Sequence, residues 1–273
     1  MVSLWEIAGL AVVASAIGAV GGLGGAVLLV PALVLAGLDP EAAAPLGLLA
    51  VAAGSLAASP THLEQGLVHH RLGLTLEVAG GSFAVLGALV SEAVSDTALT
   101  WVLVVTALVA AVAGGFRQGL RNRPMSAFSA EPPGEWPGTL GGAYSRDGHV
   151  VPYRARRLLG GLGLVSAAGA VAGLAGVGGG FLKTPAMSEV MHVPVKVAAA
   201  TSTFTVGITA VAGLAVFAGQ GRIDLVPGAS AVVGAMVGGA VGARLQDRLS
   251  PVATRRFLAI VLVAVAAALI VQV

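Results

Sequence analysis

Gly176-Val177-Gly178-Gly179-Gly180-Phe181-Leu182-Lys183-Thr184-Pro185 is the stretch around which this chain is organised. It follows an uncharged apolar run, Leu158 to Ala175, and therefore belongs at membrane depth rather than in a solvent loop. Three consecutive glycines break or sharply bend a helix and leave backbone N–H and C=O groups without partners. Lipid cannot satisfy such groups, so irregular backbone at this depth must lie inside protein or beside a wet cavity. Lys183 follows three residues after the last glycine and is the only Lys or Arg between Arg157 and Lys196. An ionisable residue in such surroundings is costly to bury and marks a functional position. A broken helix carrying one buried cation describes an anion site.

Composition sets the class. The chain has 273 residues, 56% apolar and 10% charged, with mean hydropathy +0.93. Ile7 to Leu38, Leu158 to Leu182 and Val197 to Gly221 contain no charged side chain. Each is long enough to cross a hydrocarbon core of about 30 Å, which takes about 20 helical residues. These runs predict an all-α polytopic membrane protein. The first segment lacks the basic start of a signal peptide, and Glu6 precedes an apolar run too long for one. The net charge of +2 comes from loop arginines and forms no basic stripe, so nucleic acid is not an expected partner. The sequence has no cysteine, which excludes disulfides, iron–sulfur clusters and thiol catalysis. Forty glycines point to closely packed helices with small residues at their contacts.

Helices are expected near residues 4–20, 25–38, 42–59, 72–90 and 97–115. After a polar segment they are expected at 158–175, 180–191, 195–218, 226–243 and 252–272. The halves repeat: a shift of 154 positions superposes Gly22, Gly24, Gly25, Leu28, Pro31, Ala32 and Pro40 on Gly176, Gly178, Gly179, Leu182, Pro185, Ala186 and Pro194. Five crossings per half make the repeats inverted, which places binding sites at their interface near the midplane. The domains are then 1–116, a first transmembrane repeat; 117–157, a cytoplasmic loop; and 158–273, a second repeat.

Charge gives the orientation. The central loop holds Arg117, Arg121, Arg123, Arg146, Arg154, Arg156 and Arg157 and is assigned to the cytoplasm, with Arg244, Arg248, Arg255 and Arg256 on the same side. His69, His70 and Arg71 then fall inside, while Asp39, Glu41, Glu92 and Asp96 fall outside. This count treats the two short glycine-opened helices as crossings. Within the loop, Asp147-Gly148 between short strand-like arms (Ala143 to Val151) predicts a small β-hairpin. It is read as a linker seated at the headgroup level.

The candidate site follows from the repeat. N–H groups at Gly24 and Gly25 and at Gly178, Gly179 and Gly180 would hold an anion's oxygens where two short helices converge. Lys183 would offset part of the charge, although it could instead pair with Glu189. Its pseudo-equivalent is Leu29, so it stands outside the repeat. Thr201, Ser202 and Thr203 would add hydroxyl donors, with Ser55 and Ser59 as weaker counterparts. Glu77 either takes a proton or pairs with Arg71. His62, His69 and His70 with Glu64 fit no metal-binding spacing, and no cofactor or metal is expected. Nucleophile elbow, HExxH and P-loop patterns are all absent, which leaves a carrier or channel rather than an enzyme or ATP-driven pump.

The twin segments Gly22-Leu23-Gly24-Gly25…Pro31 and Gly176-Val177-Gly178-Gly179-Gly180…Pro185 resemble the repeated glycine–proline signature of the TauE/SafE sulfite exporter family. That resemblance covers nearly the whole chain, with residues 124–152 the least similar part. It implies a multi-pass carrier in the cell membrane for sulfite, sulfonates or sulfoacetate. Taken with the site above, the expectation is alternating access, with a proton or sodium ion as the coupling ion. A channel-like anion pore is the alternative.

Overall fold

A computed structural model describes residues 2–115, 134–146, 149–246 and 251–272. Their elements are α1 (Leu4–Gly21), α2 (Ala26–Leu35), α3 (Pro40–Glu64), α4 (His70–Ser91) and α5 (Asp96–Gly115). A three-stranded antiparallel sheet follows, β1 (Gly134–Glu135), β2 (Gly141–Arg146) and β3 (His149–Arg154). The second half holds α6 (Leu158–Ala175), α7 (Gly180–Pro185) running into a π-turn (Ala186–Val190), α8 (Val195–Gly219), α9 (Leu225–Gln246) and α10 (Pro251–Gln272). Seven helices among the described residues are long and apolar enough to cross a membrane. The protein is an all-α polytopic membrane protein. Leu56, Val78, Val211 and Val233 point outward from these helices, as a lipid-facing surface requires.

The two halves share one plan. Leu4 and Leu158 begin α1 and α6, and Ala26 and Gly180 begin α2 and α7, each pair 154 residues apart. Packing exchanges in the same way: α1 lies on α9 while α6 lies on α4, and α3 and α8 cross each other. The contacts are made through backbone. A Cβ added to Gly234 or Gly238 would strike α1 at Ala8 O or Val12 O, and one on Gly169 or Gly173 would strike α4 at Gly80 O or Ala84 O. Small residues let backbones approach this closely.

Two sequence expectations change here. Neither short helix crosses the membrane. At about 1.5 Å per residue, the ten residues of α2 span roughly 15 Å, half the hydrocarbon core. The start of α2 lies beside mid-α3, with Gly24 near Val51, and its end turns straight into the start of α3. α1 runs parallel to α3, since Ser15 approaches Gly54 and Ala19 clusters with Ala58. The α1–α2 pair therefore begins and ends at one end of the bundle, and the sidedness inferred from charge keeps its parity. Glu41, Ser91, Glu92, Gln220 and Arg222 do meet at that end, while the sheet, His69 and Glu135 occupy the other.

The second change concerns the hairpin. Strands β2 and β3 form it, with the Asp147-Gly148 turn and Arg117, Arg121 and Arg123 outside the described residues. It is more than a linker: Tyr144 and Tyr153 are buried in one cluster with Leu72, Leu76, Val165, Met187 and Met191. The sheet thus seats on α4, α6 and the π-turn.

Glycine contacts differ in what they tolerate. A Cβ at Gly173 would lie 1.9 Å from Ala84 O, whereas one at Gly163, on the same helix, meets nothing within 4 Å. Gly173→Ala is expected to cost roughly 1–3 kcal/mol through overpacking and to lower the melting temperature in detergent by several degrees. Gly163→Ala should leave it unchanged or raise it slightly.

Candidate functional site

The two glycine breaks meet. Gly22 and Gly24 have φ of 65° and 77°, and Gly176, Gly178 and Gly179 have 72°, 79° and 63°, the left-handed region that glycine enters without strain. A Cβ on Gly180 would lie 2.5 Å from Leu23 O and 3.0 Å from Gly24 N. Gly24 also faces Gly178 O, Val51 and Val206. Val51 and Val206 are each the twelfth residue of a 25-residue helix, α3 and α8. The breaks therefore touch at mid-depth, where α3 and α8 cross. The N–H groups of Gly24, Gly25, Gly178 and Gly179 make no backbone hydrogen bond. These are the orphan donors expected at a helix start.

Hydroxyls satisfy the breaks' exposed carbonyls. Thr184 Oγ1 and Ser202 Oγ both donate to Gly22 O, at 2.6 and 3.2 Å. Ser55 Oγ donates to Thr203 O at 2.6 Å and ties α3 to α8. The predicted hydroxyl cluster is thus divided. Thr203 lies at the centre, Ser202 braces the first break, and Thr201 Oγ1 accepts from His69 N at 2.9 Å towards the sheet end.

A cavity of about 20 Å³ opens beside the first break, lined by Ser15, Gly18, Gly24, Gly25, Ser55 and Thr203 among others. That is room for one water-sized group. Ser15 Oγ is buried there without a hydrogen-bond partner. Sequence reasoning passed over this residue, although Ser15 is the only side chain able to hydrogen-bond in the uncharged run from Ile7 to Leu38. Two kinds of donor border one small space: a free hydroxyl and the unpartnered backbone N–H groups at the start of α2.

On the far side of the breaks lies a buried ionic triad. Lys183 Nζ donates to Glu77 Oε2 at 2.5 Å and to Thr209 Oγ1, and Thr209 Oγ1 donates to Glu77 Oε1. Their exposures are 1%, 5% and 0%. Lys183 therefore pairs with Glu77 instead of Glu189, and Glu77 pairs with Lys183 instead of Arg71. Lys183 is not an uncompensated cation, because the pair carries no net charge. Thr209, the third member, is the 154-residue counterpart of Ser55.

At the sheet end, Glu135 Oε2 lies 3.1 Å from His69 Nδ1 and accepts from Arg71 N at 3.1 Å. Burial holds His69 below the usual histidine range, with Glu135 acting against it. Burial also pushes the Tyr153 hydroxyl up, with Glu135 adding to the shift.

Residues 7–269 match the family described as "Sulfite exporter TauE/SafE", and the chain belongs to that family of membrane transporters. It is 24% identical over 270 residues to the "Probable membrane transporter protein YunE" of Bacillus subtilis (strain 168), covering 96% of this chain and 95% of that one. No solved structure matches it significantly.

Removing one member of a buried ion pair strands the other and typically costs about 3–5 kcal/mol, whereas replacing both with apolar residues is often neutral. Lys183→Leu and Glu77→Ala are each expected to lower the melting temperature markedly. The double variant Glu77→Ala/Lys183→Leu should recover most of the loss in the same detergent melt.

Proposed function

We propose that the protein is a secondary transporter of small sulfur-containing oxyanions, of the sulfite, sulfonate or sulfoacetate type, working by alternating access in the cell membrane. The observation that carries this reading is the cavity at the meeting of the two breaks. There the unpartnered Ser15 hydroxyl and the free N–H groups of Gly24 and Gly25 converge at mid-depth. Unpartnered donors around one small space, at the positive end of α2, suit an oxygen-rich anion. Gly178, Gly179 and Gly180 bring the second break against the first, and Thr203 adds its side chain to the wall.

A space of this size is too small for a sulfur oxyanion, so in this reading the halves move apart before the substrate enters. Two halves built alike, each contributing a half-depth helix to a central site, suit inverted repeats that rock about it. The arginine-rich sheet end would then face the cytoplasm. The substrate requires neither enzyme chemistry nor a resident cofactor.

The test is the melting temperature of the purified protein with sulfite, sulfoacetate, an aromatic sulfonate, sulfate and chloride. A ligand binding only the folded state at a hundred times its Kd adds about 2.7 kcal/mol, which is visible as an upward shift. A sulfur oxyanion should give this shift and chloride should not. Ser15→Ala removes one hydrogen bond to a charged ligand, worth about 1.5–3 kcal/mol. The concentration needed for half the shift should therefore rise by at least tenfold. Absence of a shift with every sulfur oxyanion would overturn the substrate class.

A further inference from the structure

We propose that Glu77 and Lys183 form the proton-coupling site of this transporter. When the anion binds, Lys183 turns from Glu77 to the anion, and Glu77 takes a proton from water, so anion and proton cross together. The inference rests on the anion-carrier reading above.

The pair answers no structural need of the fold. Under the 154-residue shift, Lys183 corresponds to Leu29, Glu77 to Ala231 and Thr209 to Ser55. The register is supported locally: Gly80 packs on Val165 of α6, and its counterpart Gly234 packs on Ala11 of α1. Leu29 and Ala231 are both fully buried. The counterpart positions, on α2 and α9, are thus apolar and buried. Burying two charges is expensive, and a hydrophobic pair of similar size often does as well or better. The ionic version is present at only one of the two places that the 154-residue shift relates, one helical turn beyond the second break.

Its position permits the exchange. Thr209 lies one helical turn along α8 from Val206, which lines the cavity. Lys183 lies one turn along α7 from Gly180, which abuts Leu23 and Gly24. A Cβ on Gly80 would sit 3.6 Å from Lys183 Nζ and 3.0 Å from Val165 Cγ1, so the ammonium lies against the α4 backbone where α4 meets α6. Four methylenes let the ammonium swing while its helix stays in place.

The charge balance follows. In the proposed step the Lys183 ammonium exchanges one anionic partner, the Glu77 carboxylate, for another, an oxygen of the substrate. Glu77 is then a buried carboxylate without a cation, and one proton from water converts it to a neutral acid. Release of the anion reverses both changes. No other ionisable group competes on the elements packed around the pair. Helix α6 has none, and α8 has only Lys196 in its first turn. Helix α4 adds His70 and Arg71 two turns away, α5 has Asp96 at its start, and the π-turn has Glu189 six residues after Lys183. Because the counterpart site is apolar, the stoichiometry is one proton per anion.

The experiment uses the full chain in proteoliposomes with radiolabelled sulfite, pH 7 outside and pH 8 inside, and the membrane potential clamped at zero. One proton per anion predicts about tenfold more accumulation per pH unit than in Glu77→Ala/Lys183→Leu, which copies the protein's own Ala231 and Leu29. Sulfite's own protonation is common to both and cancels. The double variant should melt near the wild type and still exchange sulfite at equal pH, with weakened affinity. Glu77→Gln, close in shape but unable to titrate, should also lose the accumulation and keep exchange. Equal accumulation in wild type and double variant overturns the proposal, as does accumulation that survives Glu77→Gln. A wild type that carries no sulfite at all overturns the carrier reading, and the coupling with it. Sulfite exchange without any pH-driven accumulation overturns the coupling alone.

Discussion

Backbone touching backbone in the middle of a membrane is the constraint from which the rest of this structure follows. Gly180 lies against Leu23 and Gly24 with no room for a single methyl between them. Two interrupted chains can meet there only if the carbonyls and N–H groups they expose are kept away from lipid, which offers no hydrogen bonds. Hence the two longest helices, α3 and α8, cross at that level and wall it in. Thr184 and Ser202 take up the Gly22 carbonyl for the same reason. The N–H groups left over are then a property of the site, since closing them with further side chains would fill the space they face.

Around that contact the halves are alike in plan and unlike in filling. Beside the first break lies a small cavity with an unpartnered serine; beyond the second, Lys183 and Thr209 of the second half close a triad with Glu77 of the first. The Thr209 hydroxyl corresponds to Ser55, one of the cavity's own walls. A symmetric scaffold with asymmetric contents separates two tasks that would conflict if they shared one place. Donors for an anion must be free, whereas a buried charge pair must be fully satisfied.

What the sequence made legible was local. Apolar runs and glycine–proline punctuation set the helices within a few residues, and the 154-residue repeat located both breaks. The Asp147-Gly148 turn signal also led to the hairpin. Depth and partnership were not legible. Whether α2 crosses depends on where Gly24 falls beside α3, a relation between helices that residue patterns do not encode. Glu77 and Lys183 are 106 residues apart, and nothing near either one names the other. Arg71 and Glu189 were the sequence-local choices, and packing overrode both. Ser15 did carry a signal, as a lone hydroxyl in an uncharged span, but the glycines beside it drew the reading. The hairpin read as a linker because its two tyrosines show their burial only once α4, α6 and the π-turn are assembled beneath them.

A neutral ion pair near the proposed anion site raises an electrostatic question that the apolar counterpart sharpens. If Lys183 served only to attract the substrate, a carboxylate bonded to it would cancel most of that attraction in a medium where little else screens charge. If the pair served only to hold α4, α7 and α8 together, apolar residues such as Leu29 and Ala231, buried at the counterpart positions, would serve as well. Both simple roles leave one of the two residues unnecessary. A role that needs both must use the difference between their paired and unpaired states. A buried carboxylate changes its protonation when its cation leaves. That difference is available to the protein only where the pair is buried, satisfied and within reach of an arriving anion. Lys183 and Glu77 are buried and satisfied, and the proposed coupling rests on the third condition, one helical turn from the second break.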